Sequence, residues 1–352
     1  MEQKNLLILF GGQSSEHEIS CMSAVNVIKS VDRDKYRMTL VGITKEGHWV
    51  LADNLKQIED GSWIMGNVPA VLSPDATKKC LYLMEGGRTR EVPVDVIFPV
   101  LHGLYGEDGT VQGIFELSGI PYVGCGVLSS ALCMDKLYTK ILVDSLGIRQ
   151  AAHVGVLRSE LDDREMVLRQ VETSLPYPLF VKPSCAGSSK GVSRVEKRNA
   201  LWEALLKAAE EDSKVLVEEA ISGRELECAV FGTEKRLVTS GVGEIKSAAA
   251  FYDYDAKYNN ADSVTDVSPK LPAGVEDEIR EKAAKIFRAA GCYGLARADF
   301  FLDSRGVVFN EINTMPGFTA ISMYPMLFEK MGISKKQLTA DLIELSFFRR
   351  EH

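Results

Sequence analysis

Toward the C-terminal end of the chain, "RADFFLD" (297–303) and "NEIN" (310–313) gather two acids, an amide and an arginine in one short stretch. Both segments alternate polar and apolar residues as half-buried strands do, and "SRG" between them reads as a turn. A three-residue turn at Ser304–Gly306 sets Asp299 opposite Glu311. Alternation then puts Arg297, Asp299, Glu311 and Asn313 on one face, with Ala298, Phe300, Leu302, Val308 and Ile312 on the other. Two carboxylates and an amide oxygen suit a hard cation such as Mg²⁺, which takes few protein ligands and completes its shell with phosphate oxygens and water. A solvated strand whose charges pair with one another is the alternative on these residues alone.

A cation of that kind calls for a phosphate site elsewhere. "FVKPSCAGSSKGV" places Lys182 at a strand end before a Gly-Ser loop, Gly187 to Gly191. Glycines let backbone N–H groups close on an anion, and the serine hydroxyls add donors. The GxxxxGK[ST] spacing is absent, so this is not a Walker loop, and an ordinary hairpin turn remains open. "VLVEEAISGRE" adds Glu218, Glu219 and Glu225, which can accept hydrogen bonds from an adenine amino group and ribose hydroxyls, or can be surface glutamates.

These residues need elements to carry them. "NLLILFGG" followed by "SSEHEISCMSAVNVIKSV" predicts strand, glycine turn and helix, with Ser15 and Glu18 at capping-box spacing. "RMTLVGIT" and "VDVIFPVLHG" predict further strands; "TVQGIFELSG" and "SSALCMDKLYTKILVDSLG" predict helices. This alternation over 1–127 indicates an α/β, Rossmann-like parallel sheet whose ligand lies beyond the carboxyl ends of its strands, at "GGQSSEHE" and "HGLYGEDG". The pattern then changes to α+β. "PLFVKPS", "GVSRVEK", "VLVEEAI" and "RELECAVFG" predict strands, while "ALWEALLKAAEED" and "VEDEIREKAAKIFRAAG" predict amphipathic helices, the second ended by Gly291. The expected division is an N-terminal domain at 1–127, a central domain at 128–213 and a C-terminal domain at 214–352. Residues 246–270 lack periodicity and hold four aromatic rings, which indicates a functional loop.

At 352 residues the chain is too long for one compact core, so two or three domains are expected. A formal charge of −8 without a Lys/Arg block argues against nucleic-acid or membrane binding through a basic surface. The seven cysteines are scattered and never form a CxxC pair, which predicts free thiols in a reducing cytoplasm and, with isolated histidines, argues against zinc. No apolar stretch approaches the roughly 18–20 residues of a membrane span, and the opening apolar run is too short for a signal segment.

In this order, the motifs resemble those of the ATP-grasp enzymes and, within them, the D-alanine–D-alanine ligases: "GGQSSEHEIS" (11–20), "HGLYGEDG" (102–109), "MDK" (134–136), "FVKPSCAGSSKG" (180–191), "VEEAISGRE" (217–225), "FYDYDAKY" (251–258), "ARADFF" (296–301) and "NEINTMPGFTAISMYP" (310–325). The resemblance spans nearly the whole chain. It implies ATP clasped between two sheets, with Lys136, Lys182 and Ser189 toward the phosphates, Glu218, Glu219, Ala220 and Ile221 toward the adenine, and Glu225 on the ribose. Asp299, Glu311 and Asn313 would hold two Mg²⁺ ions, or Mn²⁺. Glu16 would bind the ammonium of the first D-alanine, with His102 nearby; Lys257 and Ser322 would bind the carboxylate of the second. Arg297 and the backbone N–H of Gly317 would form an oxyanion site, and Ser188 and Tyr258 would join Glu16 in a hydrogen-bonded trio that holds a loop shut. The implied product is D-alanyl-D-alanine for peptidoglycan synthesis, made through an acylphosphate by a cytoplasmic homodimer. D-serine or D-lactate is the alternative second substrate; Tyr258, uncharged near neutral pH, favours an amine acceptor over D-lactate. A nucleotide-binding regulator without catalysis is the competing class, and Glu16, Arg297 and Ser322, needed only for substrate chemistry, weigh against it.

Overall fold

A computed structural model describes residues 3–187, 190–246 and 264–349 of the chain. The N-terminal sheet runs in the order β3-β2-β1-β7. Its strands are β1 (Lys4–Gly11), β2 (Tyr36–Ile43), β3 (Trp49–Ala52) and β7 (Val96–Leu101). The pairs β1–β2 and β1–β7 are parallel, as expected, while β3 closes one edge antiparallel to β2. Strands β1 and β7 carry continuous apolar runs because both faces of a parallel sheet are covered. Between β3 and β7 the chain forms a small antiparallel sheet of β4 (Ala70–Leu72), β5 (Cys80–Glu85) and β6 (Arg88–Pro93), which the βα pattern did not disclose.

The central sheet, in the order β10-β9-β11-β8, joins β8 (His153–Leu157), β9 (Leu179–Pro183), β10 (Ser193–Val195) and β11 (Lys214–Glu219). Because β11 pairs with both β8 and β9, this sheet extends to Glu219, and the boundary expected at 213/214 falls before a strand that it includes. The C-terminal sheet, in the order β14-β13-β12-β15-β16, comprises β12 (Arg224–Gly232), β13 (Leu237–Lys246), β14 (Val264–Asp266), β15 (Gly294–Asp303) and β16 (Gly306–Asn313).

Helix α1 (His17–Ser30) follows β1, but the expected capping box does not form. Glu16 occupies the N-cap, and the Glu16 N–H instead donates to Ser14 Oγ at 3.1 Å. Helix α3 (Thr110–Ser118) leads to β8 through two further helices, α4 (Val127–Met134) and α5 (Lys136–Ser145), not the single helix expected. The break is at Asp135, whose extended backbone (φ −81°, ψ 99°) lets its carboxylate accept the Tyr138 N–H and cap α5. Helices α6 (Arg164–Ser174) and α7 (Arg198–Glu211) cover the central sheet. Helix α8 (Val275–Ala289) buries Ile279, Ala283, Ile286 and Phe287 on one stripe, carries three acids in its first turn and ends at Gly291, φ +64°.

The last helices, α9 (Met323–Lys330) and α10 (Lys335–Ser346), return to the N-terminal sheet. Tyr324, Phe328, Leu342 and Ile343 share one buried cluster with Leu6, Ile8 and Phe98, so the first and last parts of the chain hold a common core. Among the described residues no helix is long and apolar enough to cross a membrane.

Candidate active site

A cleft of about 420 Å³ opens where the three sheets meet. On its C-terminal wall, β15 and β16 pair Arg297 with Asn313 and Asp299 with Glu311, the expected partners. They are reached by a different route. The turn has two residues, with Asp303 opposite Gly306, and a bulge at Asn310 supplies the extra residue that restores the pairing. The Arg297 guanidinium donates twice to Asp299, both at 2.7 Å, and Asn313 Nδ2 donates to Asp299 Oδ2 at 3.0 Å. Glu227, opposite Asp299 on β12, lies 3.1 Å from Arg297 Nε; in the sequence it is only one more residue of a predicted strand. Burial opposes the arginine's charge, but Asp299 and Glu227 outweigh it and hold its pKa well above the ordinary value. Among the described residues no three His, Cys, Asp or Glu side chains are spaced to hold a metal unaided. Two carboxylates and an amide on one face fit a hard cation that arrives with phosphate oxygens.

On the central wall, Lys136 starts α5 and donates to the Ala186 carbonyl at 2.8 Å, with Glu311 3.9 Å away. Lys182, from β9, lies 2.5 Å from Glu218. Burial would raise the Glu218 carboxyl, but Lys140 and Lys182 together hold it down at about 2. Glu219 accepts the Ala152 N–H at 3.1 Å, and the Ala220 N–H donates to the Pro178 carbonyl at 3.0 Å, which fixes the strand as it leaves the sheet. Ala220, Ile221 and Glu225 line the same cleft. Lys190 pairs with Glu211 at 2.7 Å. Ser188, Ser189, Lys257 and Tyr258 lie outside the described residues.

The third wall comes from the N-terminal domain. Glu16 is wedged between two glycines: a Cβ at Gly103 would meet its Oε2 at 2.7 Å, and one at Gly187 at 2.5 Å. His102 is buried, and burial lowers its pKa, so the ring is neutral. Its Nδ1 is 2.9 Å from the Met315 carbonyl, an acceptor only, so Nδ1 carries the proton and Nε2 accepts from Ser23 Oγ at 3.2 Å. Ser23 Oγ in turn accepts the Phe318 N–H. Glu107, which the motif contained but the sequence did not single out, accepts the N–H groups of Gly103 (2.8 Å) and Met315 (2.9 Å). Burial, and then the charge of Glu16, push its carboxyl up to about 8.

Three N-terminal side chains therefore grip the loop 314–318, which carries Gly317. A Cβ on Gly317 would lie 2.8 Å from Ser322 Oγ, so only glycine fits there without displacement. Ser322 is the N-cap residue of α9 but makes no capping bond; its Oγ accepts the Thr319 N–H at 2.9 Å. His102 borders the cleft, but both its ring nitrogens are engaged, one of them by this loop, so it acts on the site through the backbone that it holds.

The lysine pair and the acid–amide hairpin face one cleft between sheets, and the fold is that of the ATP-grasp ligases. The residues 5–125 match the model for the D-Ala D-Ala ligase N-terminus, and 142–344 that for its C-terminus. The chain is 46% identical to a D-alanine–D-alanine ligase of Acetivibrio thermocellus, over 99% of this chain and 97% of the relative. It is 45% identical to that of Caldicellulosiruptor bescii, over 98% and 96%. Among solved structures, a D-Ala:D-Ser ligase from Enterococcus faecalis superposes with a TM-score of 0.89 at 39% identity, covering 98% of this chain and 100% of that one. The D-alanine–D-alanine ligase of Coxiella burnetii gives 0.86 at 34%, covering 100% and 96%. The chain belongs to the D-alanine–D-alanine ligase family.

Proposed function

We infer that this chain joins two D-alanines into D-alanyl-D-alanine at the expense of ATP, as a step in peptidoglycan precursor synthesis. The observation that carries the reading is the meeting of three walls at one cleft: lysines from α5 and β9, an acid–amide–arginine face from the C-terminal hairpin, and Glu16 from the N-terminal domain.

A carboxylate is a poor electrophile and is activated by transfer of the γ-phosphoryl group of ATP. Lys136 and Lys182 meet the phosphates, with Ser189 beside them; Glu218, Glu219, Ala220 and Ile221 surround the adenine and Glu225 takes the ribose. Asp299, Glu311 and Asn313 hold Mg²⁺, which when bound offsets the charge of anion approaching anion. Glu16 takes the ammonium of the first D-alanine, in a charge-assisted bond. The amine of the second D-alanine, after losing its ammonium proton, attacks the acylphosphate carbonyl; Arg297 with the Gly317 N–H meets the negative oxygen that develops, and inorganic phosphate leaves as the acyl C–O bond breaks. Ser322 and Lys257 bind the second carboxylate, and Ser188 and Tyr258 close the site with Glu16. A cytoplasmic homodimer goes with this reading.

The high TM-score to a D-Ala:D-Ser ligase favours D-serine as a second acceptor reading. The greater identity to relatives named for D-alanine puts D-alanine first. Phosphate release and product analysis with ATP, Mg²⁺ and a panel of D-alanine, D-serine and D-lactate test both. Dipeptide mainly from D-alanine is expected; D-alanyl-D-serine in excess selects the second reading, and no D-alanine-stimulated phosphate release refutes both.

A further inference from the structure

Lys140 has no part in the reading above, yet only 1% of its surface is exposed. It projects from α5 one turn after Lys136, on the same face of the helix. Its Nζ lies 2.6 Å from Oε1 of Glu218, while Lys182 Nζ lies 2.5 Å from Oε2. One buried carboxylate is thus shared by two lysines from different elements. The two differ in freedom. The Lys182 side chain is 20% exposed and reaches the cleft, whereas that of Lys140 is 2% exposed.

We propose that Lys140 is a positioning residue for nucleotide binding, a fixed counter-charge that keeps Glu218 paired and in place when Lys182 turns to the phosphates. This rests on the nucleotide-binding reading of the cleft. With Lys182 as its only partner, Glu218 would be left as an unpaired buried charge each time a phosphate drew that lysine away, which is strongly unfavourable. The carboxylate would then either retain Lys182, at the cost of phosphate affinity, or take up a proton. Lys140 on the other oxygen removes both needs.

Among the described residues, the charged and titratable groups around Glu218 are few. Lys140 comes from α5 and Lys182 from β9. Glu225 and Glu311 act on Lys182 from across the cleft, and His153 stands opposite Glu218 in the β8 register. With two lysines the carboxyl is held at about 2 against the effect of burial, so it does not titrate near neutral pH. With one lysine removed, burial is opposed by half as much positive charge and the group moves upward into the accessible range.

The test uses the full chain and two ligands, ADP and adenosine, which share the base and ribose but not the phosphates. Affinities are measured by calorimetry for the wild type, Lys140→Met, Lys140→Gln and Lys140→Arg, from about pH 5.5 to about pH 8. Ratios of variant to wild-type Kd cancel the ligand's own titration. For the Met and Gln variants ADP binding should weaken about tenfold or more at the upper end of that range, with adenosine changed far less. The ADP ratio should also change as the pH falls, because Glu218 takes up a proton in the variant and not in the wild type. Lys140→Arg, which keeps the charge, should restore ADP affinity. A residue that only fills space would weaken both ligands alike with a pH-independent ratio, and that result overturns the proposal; so does an unchanged ADP affinity. If Lys140→Met does not fold, Lys140→Gln gives the same comparison. A wild type that fails to bind ADP refutes the nucleotide reading and this proposal together, whereas variants indistinguishable from a wild type that binds refute this proposal alone.

Discussion

The hairpin β15–β16 and the loop 314–318 are consecutive in the chain but are held in opposite ways. The hairpin is held mostly by its own residues. Arg297, Asp299 and Asn313 lie on adjacent strands and satisfy one another, with Glu227 added from the neighbouring strand and Glu311 facing Lys136 of α5. The loop is held by Ser23, His102 and Glu107, side chains more than two hundred residues earlier in sequence. On the proposed reading, the metal-facing acids and Arg297 are thus arranged locally, by strand alternation. The Gly317 N–H, which shares the oxyanion with Arg297 on that reading, is placed instead by docking one domain on another.

If that division is right, changes on the hairpin strike turnover and changes on the N-terminal wall strike substrate binding or placement. The largest effect belongs to Glu311→Gln. It should lower kcat by about a thousandfold or more, as loss of preorganised charge stabilisation does. The Glu311 side chain is only partly buried and its ion pair with Lys136 is long, so the charge should contribute about 1 kcal/mol or less to folding and the melting temperature should hardly move. Steady-state kinetics at saturating Mg²⁺ beside a thermal melt checks both, and near-normal turnover removes the metal role from this face.

Gly317→Ala comes next. The added methyl must displace Ser322 Oγ or the loop backbone, since they would be only 2.8 Å apart. A shift near 1 Å at a reacting position costs about a hundredfold in kcat. Retained turnover would mean that the Gly317 N–H is not the oxyanion donor.

Glu16→Gln should raise the KM for the first D-alanine about tenfold while leaving that for ATP near its original value, because a charge-assisted bond becomes a neutral one. Loss of ATP affinity instead would make Glu16 part of the phosphate side. The smallest change is Ser23→Ala. It leaves the Phe318 N–H and His102 Nε2 without their shared partner and should cost about 1–2 kcal/mol of stability in a denaturant titration. A few-fold drop in kcat should accompany it. A stability loss with kcat untouched would show that the loop keeps its position without the N-terminal grip.

The same division explains what could be read from the sequence. The faces of β15 and β16 follow from alternation, and the Asp299–Glu311 pairing was recovered although the turn is shorter than expected, because the bulge at Asn310 compensates. Parallel β1, β2 and β7 and the amphipathic α8 announce themselves by period. Contacts between distant segments do not. Glu107 sat unassigned inside a recognised motif, since nothing local says that its carboxylate accepts an N–H from Met315. Lys140 looked like one more helical lysine, and only the packing of α5 on β9 and β11 makes it a buried partner of Glu218. β11 shows the same limit: it reads as a strand from its own residues, but which sheet it joins is decided by β8 and β9. At Asp135 the cue is local but weak, a single N-cap acid within a run that otherwise reads as one helix.

The division of labour between hairpin and N-terminal wall is tested most directly by binding without turnover. Calorimetric titration of D-alanine, in the presence of Mg²⁺ and a non-hydrolysable ATP analogue, is carried out on the wild type, Glu311→Gln and Glu16→Gln. First-site affinity for D-alanine should stay within about twofold of wild type in Glu311→Gln and fall about tenfold in Glu16→Gln. Equal losses in the two variants, or a loss confined to Glu311→Gln, would contradict the account.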